Sequence, residues 1–160
     1  MREILFRGKR TDNGIWIYGS LFKRIFTHYI FPLPSKTSMT EVQGDTIGQF
    51  TGLNDKNGKK IFEGDVFKFQ DEIFESYHTS CGTEYNSWET ENYGVVGYNE
   101  DYGRYEFVQY KYDNNTVEAD LHENKYLEFA DFVNELEIIG NIHDNPGLIK
   151  EAQDVQRNEN

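Results

Sequence analysis

The stretch Gly48-Gln49-Phe50-Thr51-Gly52-Leu53-Asn54-Asp55-Lys56-Asn57-Gly58-Lys59-Lys60-Ile61-Phe62-Glu63-Gly64-Asp65 decides how the fold is read. Two apolar runs, Thr46 to Leu53 and Lys59 to Glu63, flank Asn54 to Gly58, and Asn57-Gly58 supplies the positive φ angles that a tight hairpin needs. Gly64-Asp65 then turns the chain sharply into a further run, Val66 to Phe69. Strands that bend at glycine are the rhythm of small barrels, so this stretch predicts a small SH3-like or related barrel.

The same pattern extends towards the N-terminus. Glu3 to Lys9 and Ile15 to Phe22 are apolar-aromatic runs joined by Thr11-Asp12-Asn13-Gly14, a hairpin signature. Arg24 to Leu33 is a third extended run, closed by Pro32 and Pro34, which donate no ladder hydrogen bond. Ser35 to Asp45 reads as loop.

Towards the C-terminus the reading is mixed. Glu75 to Asn92 is rich in Ser, Thr, Glu and Asn and predicts a long loop. Tyr93 to Tyr98, Arg104 to Tyr112 and Thr116 to Leu121 read as strands, and a phase shift of the apolar residues between Phe107 and Val108 predicts a bulge. Phe129, Phe132, Val133 and Leu136 fall at helical spacing and predict a short helix ending near Glu135. Glu137 to Ile142 reads as a last strand. Asn145 as N-cap and Pro146 at the first helical position predict a brief terminal helix. The fold class is therefore mainly β, a β-rich α+β arrangement of antiparallel strands. It has a barrel-like part over 1–70, an acidic β-rich part over 71–150 with short C-terminal helices, and a frayed tail over 151–160. All of it up to residue 150 reads as one domain, a length able to bury a core without metal or disulfide help.

Charge narrows the function classes. The net charge is -12, but residues 1–66 hold 10 Lys/Arg against 7 Asp/Glu, a net of +3, while residues 67–160 hold 6 against 21, a net of -15. Such an acidic surface repels phosphate, which disfavours duplex nucleic acid as a partner. A local basic and aromatic patch remains at Arg7, Lys9, Arg10 and Trp16. The lone Cys81 cannot form an internal bridge, no leader opens the chain and no run of about 20 apolar residues occurs, so a cytoplasmic location and no membrane partner are expected.

Three blocks carry a resemblance to a known family. They are Phe6-Arg7-Gly8-Lys9 with Trp16-Ile17-Tyr18-Gly19; the Gly48 to Asp65 stretch; and Ile138-Ile139-Gly140-Asn141-Ile142-His143-Asp144-Asn145-Pro146. In this order they resemble the YopX family of phage and prophage proteins. Asn54 stands where Lys is often seen in that family, and Phe62 and His143 stand where Tyr is usual. The resemblance implies a phage or prophage origin, a β-rich fold and self-assembly. It implies no established activity, and the residues themselves lead us to expect no catalytic residue and no cofactor.

The residues themselves offer few sites. Asp55, Asn57, Gly58 and Glu63 share ligand types with a calcium loop, but aligning Gly58 with that loop's glycine puts Leu53 and Gly64 at ligand positions, so the spacing fails. Glu63 and Asp65 flank Gly64 and would suit a carboxylate pair, although a turn in which Asp65 accepts backbone N–H bonds is the better reading. On it, Asp65→Asn is expected to keep the fold. His78 and Cys81, with His28, His122 and His143 elsewhere, lack the C-x-x-C pairs of a zinc site and the electropositive setting of a nucleophilic thiol. Phosphate-cradling and zincin motifs are absent. Trp16, Tyr18, Trp88, Tyr105 and Tyr110 would suit a sugar strip, but such rings more often belong to sheet faces.

The sequence therefore points to a non-enzymatic accessory protein working through protein contacts, as a homo-oligomer or with a host or phage protein. A nucleic-acid-linked role, either single-strand binding through Arg7, Lys9, Arg10 and Trp16 or acidic mimicry of DNA, is the alternative. A hydrolase using Glu63 and Asp65 ranks last.

Overall fold

The computed structural model describes residues 3–32, 38–79, 81–101, 103–113, 116–119, 133 and 136–148. The apolar-aromatic runs pair as antiparallel ladders, because alternating side chains need one buried face while the backbone needs neighbours for its N–H and C=O groups. Among the described residues eleven strands form two sheets. The first contains β1 (Phe6–Lys9), β2 (Trp16–Arg24), β3 (Thr27–Pro32), β4 (Thr40–Val42), β5 (Gly48–Asn54) and β6 (Lys60–Phe62), in the order β4-β3-β2-β1-β5-β6. The second contains β7 (Asp65–Thr79), β8 (Gly82–Asn99), β9 (Arg104–Asp113), β10 (Thr116–Ala119) and β11 (Glu137–Asn141), in the order β10-β9-β8-β7-β11. Both sheets are open, with β4 and β6 at the edges of one and β10 and β11 at the edges of the other. The mainly β, antiparallel reading holds, and closure into a barrel does not.

Both hairpins expected near the N-terminal half form. β1 and β2 pair from Phe6↔Gly19 to Lys9↔Trp16, and Gly14 N–H donates to Arg10 O at 3.0 Å across the turn. β5 and β6 are joined through the turn at Asp55 to Lys59, with a register shift between Phe50 and Asn54.

Three expectations fail, each for a physical reason. Ser35 to Asp45 is not all loop: β4 pairs with β3 from His28↔Val42 to Ile30↔Thr40, held by a single deeply buried apolar residue, Val42, too little for a sequence pattern. Glu75 to Asn92 is not a loop either. β7 and β8 run in unbroken register from Val66↔Val95 to Thr79↔Gly82, so their backbones satisfy each other whatever the side chains. Polar composition does not separate a loop from a solvated antiparallel hairpin. Finally, the β8–β9 ladder is continuous through Val95↔Val108 and Val96↔Phe107, so no bulge lies there. The irregularity in this sheet falls instead between Ile138 and Gly140, where β11 meets β7.

The helix expected to end near Glu135, the end of the strand expected to reach Leu121 and the tail expected over 151–160 lie wholly or mainly outside the described residues. A helical turn does begin at Pro146, as expected. Asn145 stands at its N-cap, its C=O accepting from Leu148 N–H at 3.0 Å, while its side-chain Oδ1 accepts from Asn141 N–H at 3.4 Å.

One buried cluster, Ile61, Phe67, Val96, Val133, Leu136 and Ile138 with Leu53 against it, takes residues from both sheets. A second joins Leu5, Phe50 and Phe62. Burial of each such side chain contributes roughly 1.5 to 3 kcal/mol. The corner between β6 and β7 ties the sheets together, since Gly64 N–H donates to Val96 O and Ile142 N–H donates to Gly64 O, both at 2.9 Å. Gly64 sits at φ +77°, which only glycine adopts without strain. Among the described residues no helix is long and apolar enough to cross a membrane.

Candidate functional site

The three sequence blocks meet at that corner. Arg7 lies in the middle of the first sheet, opposite Tyr18 on one side and Gly48 on the other, and is only 5% exposed. Its Nη1 donates to Asp65 Oδ1 at 2.5 Å and its Nη2 donates to Glu63 O at 2.9 Å. The guanidinium also lies 4.8 Å from the Trp16 ring centroid and 5.0 Å from that of Phe62, within cation–π range. Asp65, 1% exposed, uses its other oxygen to accept Phe62 N–H at 2.8 Å. Burial pushes the Asp65 carboxyl above its usual range, and the charge of Arg7 and the Phe62 N–H bond pull it back only in part. Arg7 Nε is buried and makes no hydrogen bond among the described residues.

Beside this pair, the turn after β11 closes over β1 and β2. Asn141 Oδ1 accepts from the backbone N–H of both His143 and Asp144 at 2.9 Å, which shapes the turn. Asp144 then reaches across: Oδ1 meets Lys9 Nζ at 2.5 Å, while Oδ2 accepts from Trp16 Nε1 at 2.6 Å and from Asn141 Nδ2 at 2.7 Å. Desolvation alone would raise its pKa, but the hydrogen bonds from Asn141, Lys9 and Trp16 outweigh it and hold the carboxyl at about 2. The His143 ring packs tilted on Trp16, centroids 5.9 Å apart. Burial lowers its pKa, Asp45 opposes this, and Lys9 and Arg7 lower it further.

The sequence-derived patch is thus redistributed. Arg7 is interior. Lys9 faces Asp144, and its N–H donates to Thr46 Oγ1 at 2.9 Å. Arg10 chelates Asp12 through Nε and Nη2 on the surface. Trp16 is half-buried between Arg7, Lys9 and His143. Glu63 and Asp65 are engaged separately, Glu63 Oε2 accepting from Gln49 N–H at 2.8 Å while Asp65 takes Arg7. Tyr18 packs on Phe62 and Tyr105 on Tyr98. The side chains of His78, Trp88 and Tyr110, and the whole of His122, lie outside the described residues.

Asp55 has a part the sequence did not suggest. It caps its own turn, with Oδ1 accepting from Asn57 and Lys59 N–H at 2.9 Å, and pins that turn to β11, with Oδ2 accepting from Ile138 N–H at 3.1 Å. Desolvation would raise its pKa, but the N–H bonds from Lys59, Ile138 and Asn57 prevail and lower it. The long range of the Ile138 and Asp144 contacts hid both roles, although Asp-x-Asn-Gly and Asn-x-His-Asp signal the local turns.

No functionally curated protein matches the chain. Protein EF1440 from Enterococcus faecalis, known from a crystal structure, is 21% identical over 93% of this chain and 99% of its own, with a TM-score of 0.48. The YopX protein family matches residues 5–150, a span that contains all three converging blocks. The chain belongs to the YopX protein family.

Proposed function

We propose that this chain is a non-enzymatic accessory protein of phage or prophage origin, working in the bacterial cytoplasm through protein–protein contacts that include self-assembly. The observation that supports this reading is the use made of the charged groups where the three blocks converge. Arg7 serves Asp65, Lys9 and Trp16 serve Asp144, and Glu63 serves Gln49. Such a cluster holds two sheets at a fixed corner, and its carboxylates have no shared proton to move. The single-strand-binding alternative needs Arg7, Lys9 and Arg10 for phosphate, whereas each of them faces a carboxylate. Sedimentation velocity at low and high salt tests the assembly reading: a species larger than the monomer at micromolar concentration is expected, and a clean monomer in both salts refutes it. Fluorescence anisotropy with a labelled single-stranded oligonucleotide tests the alternative, and saturable binding would favour it.

A further inference from the structure

The β2–β3 hairpin ends in a two-residue turn, Ile25-Phe26, between the paired residues Arg24 and Thr27. Tight turns favour Gly, Asn, Asp or Ser, for reasons of backbone conformation and local hydrogen bonding. Ile25 and Phe26 offer neither, and they stand 81% and 92% exposed, with Phe22 46% exposed nearby. Among the described residues nothing covers these side chains. An apolar tip of this kind marks a contact surface.

Charge indicates what covers it. Residues 15–40 contain Lys23, Arg24 and Lys36 and no Asp or Glu. Residues 69–92, the outer part of the long β7–β8 hairpin, contain Asp71, Glu72, Glu75, Glu84, Glu89 and Glu91 and no Lys or Arg. The same chain therefore carries a basic, apolar tip and an acidic arm that match in sign. An anionic membrane or nucleic acid would instead be repelled by the net charge of -12.

We propose that the Phe22-Lys23-Arg24-Ile25-Phe26 tip docks on the acidic β7–β8 hairpin of a second copy of this chain. This rests on the self-assembly reading and gives it a surface and a direction. Three side chains of this size bury on the order of 500 Å², less than the roughly 800 Å² per partner of a stable interface. Each copy must then both give its tip and receive one, as in a reciprocal pair or a closed ring.

The test uses the full chain in sedimentation velocity, with three variants: Ile25→Asp/Phe26→Asp, Lys23→Glu/Arg24→Glu and Glu89→Lys/Glu91→Lys. The tip positions are exposed, and thermal melts matching the parent show that folding is kept. Each variant alone is expected to raise the concentration needed for association about tenfold or more. Mixing the two charge-reversed variants is expected to restore association, because the reversed tip then matches the reversed arm. If the parent associates and neither the tip variants nor the mixture change it, the docking geometry is wrong while self-assembly stands. If the parent is a monomer throughout, both fail.

Discussion

Replacing Arg7 by Met removes the cation from the buried corner while keeping a long, unbranched side chain, and it leaves Asp65 with Phe62 N–H as its remaining hydrogen bond among those described. A carboxylate that is 1% exposed and has lost its cation is the costly half of a split ion pair, a loss of about 3 to 5 kcal/mol. Against a typical domain stability of roughly 5 to 15 kcal/mol this is large. The melting temperature should fall by about 10 °C. The pH dependence separates charge from packing. Burial already holds the Asp65 pKa above 3.8, and without Arg7 nothing of like strength opposes that shift. A group with a raised folded pKa stabilises fully below its unfolded value and loses that contribution as pH rises through the folded value. The Arg7→Met penalty should therefore shrink as pH falls through the raised folded pKa of Asp65 and be smallest below 3.8, where the unfolded chain is protonated as well. Asp65→Asn, which leaves no buried carboxylate, should be milder, about 1 to 3 kcal/mol, because Arg7 Nη1 and Phe62 N–H donate to different carboxylate oxygens and the amide NH2 that replaces one of them cannot accept. The double variant should recover part of the Arg7→Met loss, with a coupling of about 1 to 3 kcal/mol. Denaturant melts of the four proteins between acid and neutral pH measure all of this. An Arg7→Met penalty below about 1 kcal/mol at neutral pH, or one unchanged by acid, would refute the reasoning.

Asp55→Ala removes the acceptor of three backbone N–H groups, one of them on buried Ile138, and should cost about 2 to 4 kcal/mol in a urea melt. A Cβ added at Gly58 meets no atom within 4 Å, so the cost of Gly58→Val, about 1 to 3 kcal/mol, is expected from the backbone strain of a β-branched residue at φ +78°; an unchanged melt would show that the turn tolerates another conformation. Asp144, with its folded pKa lowered from 3.8 to about 2, should contribute stability above pH 3.8 that is lost as pH falls through about 2. Because its side chain is 39% exposed, solvent screening limits this to about 1 kcal/mol, and Asp144→Asn should flatten that acid limb. Thermal melts with and without a chelator should coincide, and a drop of many degrees would mean that the Asp55 to Glu63 turn holds a cation.

Local chemistry was legible in the sequence. Asn13-Gly14, Asn57-Gly58 and Gly64 specify their turns because the constraint is the backbone of one or two residues, and the glycines adopt the positive φ that their positions require. Apolar alternation marked most strands of the first sheet, since a sheet with one buried face imposes that period. Where alternation is missing the sequence does not mark the strand: β4 has one deeply buried apolar residue, Val42, and the outer part of β7 and β8 shows itself in its backbone pairing. The motif blocks were also visible as blocks, but their meaning was not. The sequence places Arg7 in a basic patch and Asp144 in a motif block, but only the fold brings Asp65, 58 residues away, beside the one and lets Trp16, 128 residues away, donate to the other. Turn propensity acts between neighbours and leaves a trace in composition. Burial of a charge, and the partner that makes it tolerable, depend on which strands the chain brings together, and tertiary structure alone decides that.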